Sequence, residues 1–469
     1  MKVAQSEIVS LQAKRAQTLK EIDKKFPDYG NLINPSAVKA GDIQQHLSAD
    51  EALLSFYFGR FDSFVWVLRK DSPVQFSRIK MSLGDLNAKV TKLREALEPK
   101  AAMISDIPPF DVKLASELYS DLLKSSESSW RPAKNLIVVT NGALGLLPLS
   151  LLPTAPSELK PEEDTLFVSY RDVPWLARSH AITIVPSASA LQTLRKLPPG
   201  KTARKDLIAF GDPYFSKQQA DEAANGEKPV LADEATMRGV PLKRRNSPQL
   251  ENADHANLGM LPRLPDTADE LKSIALALQA DPSKVLNLGK DANEKTVKAM
   301  DLSGFKIVAF ATHGLVPGEL DGLTQPALAL SAPSLSGSEG DGLLTMEEIL
   351  SLKLDADWVV LSACNTGAAA GAGAEAASGL GRAFFYAGTR ALLVTNWSVH
   401  SQSAKDLVTD LFKRQADDPK LTRGEALRQA MMALADGKGY LDASGKTEFA
   451  YAHPLFWAPY TIIGDGGRR

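Results

Sequence analysis

Cys364 is the only cysteine among 469 residues, and it closes the apolar run Trp358-Val359-Val360-Leu361-Ser362-Ala363. An earlier apolar run, Ile307-Val308-Ala309-Phe310-Ala311-Thr312, leads directly into His313-Gly314. A thiol becomes a nucleophile near neutral pH when a neighbouring group takes its proton or stabilises the thiolate, and imidazole can do either. Two buried-type strands that deliver a thiol and an imidazole at their carboxyl ends are what a cysteine-nucleophile hydrolase needs. Attack on a carbonyl creates an oxyanion, which requires preorganised donors. The N–H of Gly314, with no side chain in the way, and the N–H of Cys364 are the candidates. Taken alone, Cys364 also fits a small buried hydrophobe. The polar Asn365-Thr366-Gly367 after it, and His-Gly at the end of a similar strand, favour catalysis. His46, His180, His255, His400 and His453 have no such setting. The Gly- and Ala-rich stretch from Thr366 to Ala377 reads equally as room for a peptide or as a flexible turn.

The elements around the pair define its frame. Residues 3–26 repeat apolar positions at helical spacing and stop before Pro27, a packing helix or a partner-docking one. Leu53 to Phe58, Phe64 to Arg69 and Val74 to Ile79 are short, aromatic and β-branched, and read as an antiparallel meander. Helices over Leu83 to Leu97 and Val112 to Leu123 lead to a strand over Leu136 to Thr140. That strand runs into Thr140-Asn141-Gly142, the layout of Thr312-His313-Gly314 with Asn for His, which an internal duplication would explain. A strand at Ala181 to Val185, a helix from Ser187 and the breaker Pro198-Pro199-Gly200 close the first half.

The second half opens with the strand Leu207 to Gly211. From Ser216 to Gly259 the chain is polar and irregular, a surface loop or mobile insertion. Strands at Val285 to Leu288, Phe305 to Thr312, Asp357 to Ala363, Ala391 to Thr395 and Tyr460 to Ile463 then alternate with helices. Leu328 to Leu330 reads as a short edge strand. Thr267-Ala268-Asp269-Glu270 and Thr345-Met346-Glu347-Glu348 both have capping-box spacing. The expected fold is α/β, a mostly parallel sheet with helices on both faces, whose ligands bind at the carboxyl ends of its strands.

With 44% hydrophobic and 23% charged residues and a net charge of -2, the chain is globular and unsuited to coating nucleic acid or a membrane surface. No run is long and apolar enough to span a bilayer, and the charged N-terminus lacks the apolar region of a signal peptide. A lone thiol is most easily kept reduced in a cytosol, so a cytoplasmic location is expected. The histidines and the cysteine form no familiar metal-ligand spacing, and no phosphate-binding glycine loop occurs. Neither metal nor cofactor is expected.

Ala311-Thr312-His313-Gly314 and Leu361-Ser362-Ala363-Cys364-Asn365-Thr366-Gly367, with Gly211-Asp212-Pro213, Asp341-Gly342-Leu343-Leu344-Thr345 and Thr395-Asn396-Trp397, resemble the CHAT family of caspase-like proteases. The resemblance runs from about Ala52 to Gly464. It implies a cysteine endopeptidase, a caspase-like catalytic half over 201–469, a degenerate caspase-like half over 46–200 and a helical lead over 1–45. Carried over, His313 is the base, Cys364 the nucleophile, and Gly314 with Cys364 the oxyanion hole. Substrates would be proteins, cleaved under regulation in bacterial defence or signalling. Relatives usually carry tetratricopeptide repeats upstream, so a recruiting protein is a further expected partner. Asp212 stands where related proteases keep a residue that selects the side chain before the cut, and a carboxylate there would favour Lys or Arg; it reads equally as a turn aspartate before Pro213. Asp341 and Asp321 are weaker candidates for that pocket. Trp397 reads as the wall of an apolar subsite or as core. His400 lies where relatives often have an acidic residue. The contrasting reading is a silent caspase-like scaffold that only binds partners.

Overall fold

The computed structural model describes residues 11, 14, 17, 21, 38–161, 165–226, 242, 257–337, 340–362, 379–442 and 444–467. The expected helix over 3–26 falls, apart from four isolated positions, outside the described residues. The same holds for most of the polar stretch from Ser216 to Gly259, although it opens with a regular helix, Lys217–Ala224.

Sixteen strands are described: β1 Glu51–Phe58, β2 Ser63–Arg69, β3 Gln75–Ile79, β4 Asn135–Val139, β5 Ala181–Ile184, β6 Lys205–Gly211, β7 Leu286–Leu288, β8 Phe305–Ala311, β9 Gly314–Leu315, β10 Ala327–Ala329, β11 Leu343–Thr345, β12 Trp358–Leu361, β13 Ala391–Thr395, β14 Tyr440–Leu441, β15 Thr447–Phe449 and β16 Tyr460–Gly464. Eleven of them form one sheet in the order β3-β2-β1-β4-β5-β16-β13-β12-β8-β6-β7. Pairing is parallel except within the β1–β2–β3 meander and between β13 and β16. That antiparallel step reverses the sheet's direction. β1, β4, β5 and β16 run one way, and β13, β12, β8, β6 and β7 run the other.

Burial explains the sequence pattern. β12, β13 and β16 are buried at every position, as strands covered on both faces must be, and therefore read as largely apolar runs, with Thr395 and Thr461 the buried polar exceptions. β3, at the edge, exposes most of its residues. Along β8, Ile307, Ala309 and Ala311 join the larger core, while Val308 and Phe310 enter a second core on the other face with Phe384 and Phe385. This alternation places helix Asp266–Ala277 on one side and helix Gly379–Ala387 on the other.

Three local expectations are corrected. Leu328 belongs to the middle strand of a separate three-stranded sheet, β11-β10-β9, and not to an edge of the main sheet. Val285 ends a short helix, Pro282–Val285, before β7. The capping box forms at Thr345 and Glu348 but not at Thr267: the helix there starts at Asp266, and the Thr267 hydroxyl is drawn away to the carbonyl of Leu264.

Candidate active site

β8 and β12 are parallel neighbours, with Phe310 opposite Leu361. The ladder continues through the Ser362 N–H, which donates to the Phe310 carbonyl at 3.0 Å. Cys364 itself lies outside the described residues. His313 follows β8 and is fully buried. Its backbone is fixed from below: its carbonyl accepts from the Ala329 N–H at 2.9 Å, and the hydroxyl of Thr312 donates to the Ala329 carbonyl at 2.5 Å. β10 therefore holds the end of β8 in place. Phe215 packs beside the imidazole, with ring centroids 5.7 Å apart.

The imidazole Nε2 lies 2.8 Å from the carbonyl oxygen of Pro262. A carbonyl can only accept, so Nε2 carries the proton and the neutral ring keeps its lone pair on Nδ1. The geometry thus selects the tautomer and names the basic atom. Gly314, half-buried, opens β9 and pairs with Leu328.

Asp212 ends up paired within the protein. Both carboxylate oxygens take Arg263, Nε at 2.9 Å and Nη2 at 2.6 Å, and the guanidinium lies 5.0 Å from the Tyr214 ring centre. Burial pushes the Asp212 carboxyl up; the bonds and charge of Arg263 oppose that, and Asp266 and Asp269 add to the rise. Burial pulls on Arg263 too, but the Asp212 carboxylate holds the guanidinium above its ordinary value. Arginine does not lose its proton in proteins, and a bidentate contact at these distances is an ion pair. Sequence reasoning did not reach Arg263 or Pro262. Their only sequence signal is that they lie within four residues of the start of the helix at Asp266.

The remaining candidates separate. Asp341 and Asp321 come together on a cleft of about 630 Å³ with Gln325 and Thr345, apart from Asp212. Asp341 also caps its own turn by accepting from the Leu343 N–H. Of the two readings of Trp397, subsite wall or core, its surroundings are those of core: it is fully enclosed, and its indole N–H donates to the Leu455 carbonyl. His400 is the N-cap of helix Ser401–Asp417, its Nδ1 accepting from the Ser403 N–H, among Phe449, Tyr451 and Phe456. Asn141, in the place His313 holds on β8, fastens β4 to β1, its side chain bonding both the N–H and the carbonyl of Phe58.

A CHAT domain family model matches residues 112–465. The chain belongs to the CHAT-domain family. The match takes in β4 through β16 and leaves the β1–β3 meander before it. No curated protein matches the chain in sequence. Among solved structures, this CHAT protein is similar to the separase of a Saccharomyces cerevisiae separase–securin complex, at 11% identity and a TM-score of 0.48 over 96% of the chain and 31% of the separase. It is also similar to the Arg-specific cysteine proteinase gingipain R, at 12% identity and a TM-score of 0.38 over 82% and 74%. A third similar structure, the complex of gingipain pro- and mature domains from Porphyromonas gingivalis, has 10% identity and a TM-score of 0.38 over 82% and 76%. The chain spans about a third of the separase's length. Among the described residues no helix is long and apolar enough to cross a membrane, and no cluster of His, Cys, Asp and Glu could hold a metal ion.

Proposed function

We propose that this CHAT protein is a cysteine endopeptidase in which His313 and Cys364 act as a pair. The observation that carries the reading is the register of β8 and β12. Phe310 faces Leu361, and His313 and Cys364 are each three residues beyond that pair. Neighbouring strands lie about 4.8 Å apart, so equal offsets from one register pair favour side chains meeting at the sheet edge. The donation from Nε2 to the Pro262 carbonyl supports the same reading, because it leaves Nδ1 as the base.

Chemically, Nδ1 takes the thiol proton and Sγ attacks the peptide carbonyl carbon. The N–H groups of Gly314 and Cys364 receive the oxyanion. As the C–N bond breaks, the imidazolium returns the proton to the departing amine, leaving a thioester. Water, deprotonated by the same imidazole, then releases the acid and restores the thiol. The substrates are proteins, and a thiol nucleophile suits a reducing, cytoplasmic setting.

We further propose that 46–200 is a degenerate copy of 201–469. β1, β4 and β5 are successive neighbours, as are β6, β8 and β12, and the ends of β4 and β8 carry Thr-Asn-Gly and Thr-His-Gly. Asn141 bonds the sheet where His313 would do chemistry. The test is digestion of a peptide library by the wild type beside Cys364→Ala. Cleavage lost in the variant supports the reading, and cleavage that persists sinks it.

A further inference from the structure

Four consecutive residues, Leu261 to Leu264, are each tied down by a different partner. The Leu261 carbonyl accepts from Gln219 Nε2 at 2.8 Å, the Pro262 carbonyl takes His313, the Arg263 side chain takes Asp212, and the Leu264 carbonyl takes the Thr267 hydroxyl at 2.7 Å. Pro262 is exposed as a residue, while its carbonyl oxygen meets the fully buried His313 ring. Asp212 is the fixed end of this arrangement. It follows β6, whose Gly211 pairs with Ala311 two residues before His313. It sits in the left-handed region at φ 47°, a conformation aspartate tolerates better than most residues, and its N–H donates to Thr267 Oγ1 at 2.9 Å. Tyr214, under the guanidinium, is held in turn, its N–H by Ser331 Oγ at 2.7 Å and its carbonyl by the Ala332 N–H at 3.0 Å. The contacts close a ring: β6, Asp212, Arg263, Pro262, His313, β8, and back to β6.

We propose that the Asp212–Arg263 pair is a clamp that aims the Pro262 carbonyl at His313, making both side chains positioning residues of the thiol–imidazole pair and not a pocket for a basic substrate side chain. The inference rests on the peptidase reading above. A two-bond Arg–carboxylate contact fixes direction as well as distance. Pro262 adjoins Arg263, so displacement of the guanidinium moves the carbonyl that selects the His313 tautomer. With both Asp212 oxygens engaged and the residue buried, the carboxylate does not face a substrate as a bare anion.

The clamp and the pocket predict opposite signs for Arg263→Met. A pocket relieved of its internal cation would cleave after Lys or Arg faster. A lost clamp lowers kcat for every peptide, by about 10- to 100-fold for a misplacement approaching 1 Å. Arg263→Lys, which keeps the charge without the fork, should recover part of the rate, and Asp212→Asn should behave like Arg263→Met. Because Cys364 is the only cysteine, intact mass after iodoacetamide treatment reads its alkylation alone. The alkylation rate between about pH 5 and 9 gives the thiol's apparent pKa. The wild type should titrate low, His313→Ala at the value of an unassisted thiol, and both clamp variants in between. If His313→Ala matches the wild type, the peptidase reading fails. If His313→Ala shifts but Asp212→Asn and Arg263→Met do not, or if Arg263→Met speeds cleavage after basic residues, the clamp is overturned. Should Arg263→Met not fold, Asp212→Asn and Arg263→Lys carry the same comparison.

Discussion

Replacing Arg195 with methionine should destabilise the protein strongly, because it removes a cation shared by two buried carboxylates, Glu51 and Asp465. Arg195 lies in helix Ala188–Lys196 after β5, Glu51 begins β1, and Asp465 follows β16, so the triad ties β1 to the end of β16, the strand that pairs with β13 across the antiparallel step. The guanidinium reaches both Glu51 oxygens at 2.6 Å, Asp465 Oδ1 at 3.2 Å and the His46 carbonyl at 2.5 Å. The side chains of Arg195, Glu51 and Asp465 are only 12%, 6% and 3% exposed. An exposed ion pair contributes about 0–1 kcal/mol, whereas breaking a buried one costs about 3–5 kcal/mol through the charge left behind. The buried figure applies, moderated by the Ser48 N–H on Glu51 and the Gly467 N–H on Asp465. Urea unfolding followed by tryptophan fluorescence should therefore show Arg195→Met losing about 3 kcal/mol or more in its first transition. High salt should change that little, since buried pairs are weakly screened. Adding Glu51→Gln and Asp465→Asn to Arg195→Met should recover most of the loss. A loss below about 1 kcal/mol would instead make the triad equivalent to an exposed surface pair.

Three further outcomes are expected. His453 is buried among Phe110, Phe167 and Tyr170, and burial pushes its pKa down to about 3. The unfolded chain then binds the extra proton between about pH 6.5 and pH 3, so this contribution is present above pH 6.5 and falls as pH drops, by up to about 1.4 kcal/mol per pH unit. His453→Gln should flatten the slope of urea stability against pH between 6.5 and 4.5. Gly388→Ala should lose more than about 2 kcal/mol by the same assay, since φ is 114° there and a Cβ would stand 2.3 Å from the Leu354 carbonyl oxygen. His400→Ala should lose about 0.5–2 kcal/mol as an N-cap while cleavage per folded molecule changes little.

The strands that position the site were legible for one reason: Ile307 to Ala311 of β8, Trp358 to Leu361 of β12 and Ala391 to Val394 of β13 are buried on both faces and so form continuous apolar runs. The register of β8 against β12, on which the site depends, is a tertiary fact that no local pattern states. Capping-box spacing succeeded at Thr345 and failed at Thr267, because the Asp212 N–H and the Leu264 carbonyl compete for the Thr267 hydroxyl. The same long-range packing hid Arg263: nothing near Asp212 in the sequence reveals that a cation from beyond a long polar stretch will fill its two oxygens. Trp397 shows the converse. The sequence leaves Trp397 open between subsite wall and core; the ring turns into the core, and Asn396 spends its amide on the Pro459 carbonyl and the Thr461 hydroxyl.

In the proposed function His313 makes the thiol of Cys364 a peptide-bond nucleophile. This is tested most directly by intact-mass labelling with a peptidyl acyloxymethyl ketone, comparing the wild type with His313→Ala. One adduct is expected on the wild type, mapping to Cys364, and none on His313→Ala under the same conditions, although iodoacetamide still modifies both at alkaline pH. Equal labelling of the two proteins by the peptide reagent would contradict it.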